Sequence, residues 1–293
     1  MTRFLQQIID GISSGCLYAT MALALVLIYR ATHFVNLAQG EMALFSTYVA
    51  WQLSAWGLPI LLALLVTVVL SFSAGMVIER SVIRPFASSN HLTVVIVALG
   101  LFLAFNGTAG LIWTGNSRIV PTIVPDHVLH VGGLAVTWPS VSLVAVLVAE
   151  IAVLWVFFQK TRLGLAMRAA ADNAESSSLV GIRVGRTLMI GWGLAAGLGA
   201  VAGVLVAPKL FLNQNMMFTL LVYSIAAATL GGLDSPLGAV IGGLVVGISE
   251  NLAGTYVSWI GADLKIGVPL FIIFIVLLVR PNGLFGKAPV VRV

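Results

Sequence analysis

The chain has 293 residues, 60% of them hydrophobic and only 9% charged, with a formal net charge of +5. A soluble domain carries roughly 25% charged residues, and the mean hydropathy here is +1.08, so a water-soluble globule is excluded. The basic excess falls between apolar runs, where it sets orientation in a membrane rather than inviting nucleic acid. The partner solvent is lipid.

Taken in chain order, apolar windows predict membrane spans over residues 8–28, 35–55, 58–78, 92–113, 141–158, 187–207 and 266–279, with a more broken region at 218–253. Several approach the roughly 20 residues that cross a bilayer. Arg3 begins the chain, but Gln7 and Asp10 follow and no small-residue cleavage site precedes Tyr29-Arg30, so a cleaved signal peptide is not expected. Cys16 is the only cysteine. It excludes an internal disulfide and is expected to pack inside its span.

The second span contains THFVNLAQGEMALF at 32–45. An ionised carboxylate facing lipid costs from about 2.5 to more than 10 kcal/mol at the bilayer centre, so Glu41 is expected at an interface or facing other helices. If 35–55 is one helix, Asn36, Gly40 and Gln39 fall on one side of it. Two readings stay open for Asn36, Gln39 and Glu41: hydrogen bonding between helices, or a place on a substrate path. Residues 114–140, with Pro121, Pro125 and Pro139, form the main outer loop, flanked by Trp113 and Trp138 as interfacial aromatics. His127 and His130 would share one turn if this loop were helical, but nothing nearby completes a metal site.

Residues 159–186 hold Lys160, Arg162, Arg168, Arg183 and Arg186. With Arg30, Arg80, Arg84, Arg280, Lys287 and Arg292 they form the more basic side; Arg3, Arg118, Lys209 and Lys265 form the other. The basic side, carrying the carboxyl terminus and the 159–186 loop, is expected to be cytoplasmic. That count requires 218–253 to contribute an even number of crossings or a re-entrant pair. Helix formers from Arg168 to Ser178 predict one short helix in this loop. Ala171 would keep it slim, Asp172 and Glu175 would make polar contacts, and Gly181-Ile182 would end it with an apolar plug.

Gly193/Gly197, Gly199/Gly203, Gly238/Gly242 and Gly243/Gly247 are each four apart, a spacing that lets helix backbones meet closely in lipid. GGLDSP at 231–236 cannot lie in an unbroken helix, since Pro236 lacks an N–H and the glycines favour a turn. A break at membrane depth must be covered or line a cavity, which makes Asp234 a second substrate-path candidate; a short surface loop is the alternative. The early counterpart of this break is expected at Asn36–Glu41, with Gly40 as its weak point. No G-x-x-x-x-G-K-[ST] phosphate loop is present. The resulting class is an all-α polytopic integral membrane protein of about seven to nine transmembrane helices, some broken or re-entrant.

Five ordered segments carry a resemblance. GCLYATMALALVLIYRATHFVNLAQGEMALF (15–45), IERSVIRPF (78–86), TRLGLAMRAAADNAESSSLVGIRVGR (161–186), TLGGLDSPLGAVIGGLVVGISENL (229–252) and RPNGLFG (280–286) together resemble the branched-chain amino acid ABC importer permeases of the LivH type. Leu37 and Thr229 depart from the family's usual Phe and Ala. The resemblance implies one permease domain over 1–293, with 161–186 as a coupling loop for ATPase subunits. It implies a homologous permease partner, two ABC ATPases holding the ATP and magnesium, and a periplasmic or tethered binding protein, in a bacterial inner membrane. No cofactor, metal or catalytic residue is expected in this chain. The same scaffold would serve for urea, short amides or other amino acids. A stand-alone channel or carrier and a membrane-embedded enzyme are the competing classes, the enzyme without a nucleophile or metal motif in its favour.

Overall fold

The computed structural model describes residues 2–32, 34–86, 89–258, 260–261 and 264–286; Lys287 and Arg292 lie outside them. Eleven α-helices occur among these residues. Six are long and apolar enough to cross a membrane, and two shorter helices are also apolar. One small β-hairpin, Val128–Val131 with Leu134–Thr137, is antiparallel. It includes His130 and leaves His127 in extended chain just before it, so the two imidazoles do not share a helical turn. Contacts divide the chain into two compact units, one of Leu27–Ile123 with Val148–Phe218, the other of Met1–Val26, Val124–Leu147 and Thr219–Val293.

In the first unit, α2 (Gln39–Ala55), α3 (Ile60–Ile78) and α8 (Val184–Leu210) pack together, and α4 (His91–Trp113) lies on α2. Their spacing follows from the glycines of α8. A Cβ on Gly193 would stand 2.9 Å from Phe72 O of α3, and one on Gly199 would stand 2.7 Å from Gln39 Nε2 of α2. Gly203 likewise meets Thr47 and Ala43 of α2. The two small-residue pairs therefore serve different neighbours. Gly75 answers from α3, where a Cβ would stand 2.6 Å from Trp192 O. Around these contacts Ala50, Leu64 and Val204 form a closed apolar cluster, while Leu65, Val69 and Leu70 of α3 stay exposed, as a lipid-facing surface should.

Capping explains several helix boundaries. Asn36 Oδ1 accepts from Ala38 N at 3.1 Å, an Asx turn that delays α2 until Gln39. Asn36 is thus outside the helix, and the expected one-sided arrangement with Gly40 does not form; the break precedes Gln39, with Gly40 inside the helix. Beyond α3 the chain widens into a π-helical turn, Glu79–Ile83. Thr161 caps α6 (Arg162–Asp172) by accepting from Gly164 N, and Asn173 caps α7 (Ala174–Leu179) by accepting from Ser176 N. The single helix expected over 168–178 is therefore two helices, because an asparagine side chain competes for the backbone donor in the middle of the run.

The second unit contains α1 (Thr2–Thr32) as far as Val26, then α10 (Pro236–Tyr256), α11 (Gly267–Val279), the hairpin and most of α9 (Met216–Gly231). Gly11 and Gly15 of α1 meet Ile248 and Leu244 of α10, and Gly247 returns the contact to Gly15. The other face of α10 uses Gly238 and Gly242 against Gly231 and Ala227 of α9. GGLDSP forms the turn between α9 and α10: Gly232 has φ +106, Ser235 caps α10 and Pro236 takes its first turn, as proline at a helix start does. Cys16 is 2% exposed. The span expected over 266–279 is a helix of 13 residues, about 20 Å long at 1.5 Å per residue.

Replacing Gly203 by leucine should lower the thermal midpoint of the detergent-solubilised protein by the equivalent of about 1–3 kcal/mol or more, since backbone must separate. Gly107, which has nothing within 4 Å of a built Cβ, should accept the same change. Equal midpoints for both variants would show that α2–α8 contact at backbone distance is dispensable.

Candidate functional site

The sequence-predicted polar residues of α2 go to two different neighbours. Gln39 and Glu41 are 0% and 2% exposed, two positions apart and so far around the helix from one another. Gln39 Nε2 donates to Ala195 O of α8 at 2.8 Å, in the space left by Gly199. Its Oε1 has no hydrogen-bond partner among the described residues. Glu41 Oε2 accepts from Asn106 Nδ2 of α4 at 3.0 Å, and the same amide reaches Gln214 O at 3.4 Å. The carboxylate of Glu41 thus has an amide donor and the positive end of its own helix. Asn36, also 0% exposed, is spent on its turn and on Met42 Sδ at 4.0 Å.

Glu41, Phe45, Tyr48 and Gln52 recur at helical spacing and form the α2 face toward α4. Phe45 meets Phe105 edge-on at 5.4 Å, Tyr48 stacks on Trp113 at 5.0 Å, and Trp113 Nε1 donates to Gln52 Oε1 at 3.0 Å. Tyr48 is fully buried and its hydroxyl lacks a partner among the described residues. Trp113, expected at the lipid interface, is only 8% exposed, because the tyrosine takes up its ring face. The face ends at a strained cap. Thr114 and Phe211, at the ends of α4 and α8, have φ of 55° and 57° with extended ψ, a conformation otherwise kept for glycine. Beyond them Arg118 and Leu212 exchange two backbone hydrogen bonds of 2.9 Å.

Asp234 lies in the other unit. It is half-buried in the α9–α10 turn, where the last helical carbonyls of α9 need donors. RPNGLFG supplies them: Leu284 N donates to Leu230 O at 2.8 Å and Phe285 N to Gly231 O at 3.0 Å. A Cβ on Gly286 would come within 3.1 Å of Asp234 Oδ1. The two glycine-rich motifs thus interlock, which separation by some 50 residues hid. Also unanticipated is a buried cluster in which Tyr18 Oη donates to Glu250 Oε2 at 2.6 Å while Tyr18 stacks on Tyr223 at 4.6 Å.

The expected coupling residues sit on α6–α7 and the turn after them. Arg168 donates to Gln159 Oε1 at 3.2 Å, Ala171 lines a small pocket together with Thr187 and Leu188 at the start of α8, and Asp172 and Glu175 are exposed. Gly181 ends the pair with φ +86. Ile182, the expected apolar plug, is half-buried; the exposed apolar tip is Leu179 and Val180 instead, 84% and 77% exposed. Ile182 N donating to Ser177 O at 3.0 Å turns the chain back toward α8, which is why the tip falls earlier. Arg84 Nε and Nη2 hold Glu79 of the π-helical turn, and Nη2 also donates to Gly185 O in the first turn of α8.

The family described as branched-chain amino acid transport system, permease component, matches residues 7–278. The chain is 27% identical to the high-affinity branched-chain amino acid transport system permease protein BraD of Pseudomonas aeruginosa, over 99% of this chain and 98% of that protein. Identity to the corresponding LivH protein of Escherichia coli K12 is 29%, with coverage of 99% and 98%. For the probable branched-chain amino acid transport permease protein LivH of Methanocaldococcus jannaschii it is 31%, with 92% and 89% covered.

Changing Asn106 to leucine should cost about 1–3 kcal/mol by stranding the Glu41 carboxylate without its donor, read as a lower thermal midpoint. Glu41→Gln should leave the midpoint near that of the wild type, because an amide oxygen still accepts from Asn106. An Asn106→Leu protein as stable as the wild type would remove the bond from the account.

Proposed function

The chain belongs to the family of branched-chain amino acid transport permease components, and we propose that it is the translocation subunit of an ABC importer for branched-chain, hydrophobic amino acids. It is a multi-pass membrane protein with six helices long and apolar enough to span. In this reading both units act as one permease domain, 1–293, and a homologous permease completes the path. Two ABC ATPases, which carry ATP and magnesium, bind the α6–α7 pair. A periplasmic or tethered binding protein delivers the amino acid to the opposite face, and the setting is a bacterial inner membrane.

The observation that carries this reading is the exposed Leu179–Val180 tip on two short capped helices. Water gains nothing from holding two large apolar side chains out in a polar loop, and an apolar element entering a partner's groove is a recurrent docking mode. The excess of lysine and arginine on the side of 159–186 and the carboxyl terminus supports a cytoplasmic placement of that tip, where ATPases work. Asp172 and Glu175 are exposed beside it and supply the polar rim. Along the path, Asn36, Gln39, Glu41 and Asp234 are the candidates; Gln39 and Glu41 have the better claim, with an unpaired amide oxygen on one and a buried carboxylate on the other.

In a reconstituted complex, Leu179→Asp with Val180→Asp should abolish ATP-driven leucine uptake and co-purification of the ATPases while membrane insertion stays normal. Undiminished uptake overturns the docking assignment. Uptake of urea or short amides by the wild-type complex without any hydrophobic amino acid overturns the substrate assignment.

A further inference from the structure

The first unit holds a cavity of about 400 Å³ that Asn36, Gln39, Glu41 and Asp234 do not line. Small-ligand sites occupy roughly 300–1,000 Å³. Phe34, Ile83, Leu188 and Trp192 give it apolar walls, and Glu79 and Ser89 add polar ones. Phe34 and Trp192 stand 6.4 Å apart at 44°, and Trp192 is fully buried. Glu79 and Ile83 both come from the π-helical turn, an insertion that recurs at functional sites.

Glu79 is 2% exposed, and its carboxylate takes one hydrogen bond on each oxygen from Arg84. A carboxylate has about four acceptor positions, which leaves room for an ammonium beside the guanidinium. Ser89 brings a hydroxyl. Apolar walls with a carboxylate and a hydroxyl suit a compact zwitterion with an aliphatic side chain. They do not suit a lipid tail, which offers the carboxylate and hydroxyl nothing.

The cavity is also tied to the coupling helices. Leu188 lines it and also lines a small pocket against Met167, Ala170 and Ala171 of α6. Arg84 joins the Glu79 wall to Gly185 O, in the first turn of α8 beyond α7. Any displacement of α6–α7 therefore reaches two walls of the cavity through packed side chains and one bridging guanidinium.

We propose that this cavity is a subsite for the transported hydrophobic amino acid, with Phe34, Ile83, Leu188 and Trp192 receiving the side chain and Glu79 its ammonium group. This rests on the transport reading above and adds a place where the cargo halts next to the coupling helices. The cavity then opens or closes with the motion of α6–α7.

Two variants test it in the reconstituted complex. Val94→Trp fills the cavity from α4 without touching the α6 pocket; leucine uptake should fall on the order of tenfold, the scale on which misfit side chains are rejected, while the ATPases remain bound. Ser89→Cys places a thiol at the wall of a protein whose native Cys16 is buried. Leucine should slow its modification by a water-soluble thiol reagent, whereas glycine and glutamate should not. Undiminished uptake by Val94→Trp, or no protection by leucine, overturns the subsite and leaves the transport reading standing. Protection by a short-chain phosphatidylcholine but not by leucine makes it a lipid site and overturns it too. If the wild-type complex transports no hydrophobic amino acid, both fall.

Discussion

Helices in lipid gain little by hiding apolar side chains from one another, so they hold together only where their backbones approach closely enough for dispersion and polar contacts to add up. That constraint organises this protein. α8 has one pair of glycines for α3 and another for α2, and α10 has one pair for α1 and another for α9. A helix that contacts two neighbours at backbone distance cannot slide on either without clashing. Packed cores of this kind tend to have discrete arrangements rather than soft ones, which suits α2, α3 and α8 to moving as one body.

The close approach also determines which polar groups can be buried. Gln39 reaches Ala195 O because Gly199 has no side chain in the way. Glu41 is covered by α4 on the other face of the same helix. At the opposite end of the fold's polar inventory, Glu79 is balanced by Arg84, and the guanidinium spans from the end of α3 to the start of α8. α6 and α7 lead directly into α8, so in the proposed coupling a force on their exposed tip would be applied to a helix held at backbone distance by two neighbours. Without the glycine contacts such a force would bend a loop; with them it would be passed to the wall of the proposed subsite.

Much of this was legible in the sequence because it depends on local pattern. The spans follow from hydropathy, the tight contacts from glycines four apart, and the α9–α10 turn from GGLDSP, whose proline and glycines permit little else. Five motifs in order were enough for the family. What escaped was set by partners distant in sequence or by side chains competing for backbone. Asn36 and Asn173 each capture a backbone N–H, which moved one helix start to Gln39 and split another helix in two. Trp113 is an interface residue by type, but Tyr48 buries it. RPNGLFG could be matched, yet its work of closing the end of α9 depends on carbonyls some 50 residues away. Asn106 lies alone in an apolar run, while Tyr18 and Glu250 lie inside matched segments; in neither case does the local pattern say which helix a polar side chain will meet.

In the proposed transport cycle the α6–α7 tip faces the compartment where ATP is found. Val180→Cys would place an exposed thiol on that tip in a protein whose own cysteine is buried, and a membrane-impermeant reagent applied to oriented vesicles reads its side directly. Modification in inside-out vesicles only, suppressed when the ATPases are bound, is the result expected. Modification in right-side-out vesicles only would contradict both the orientation and the coupling.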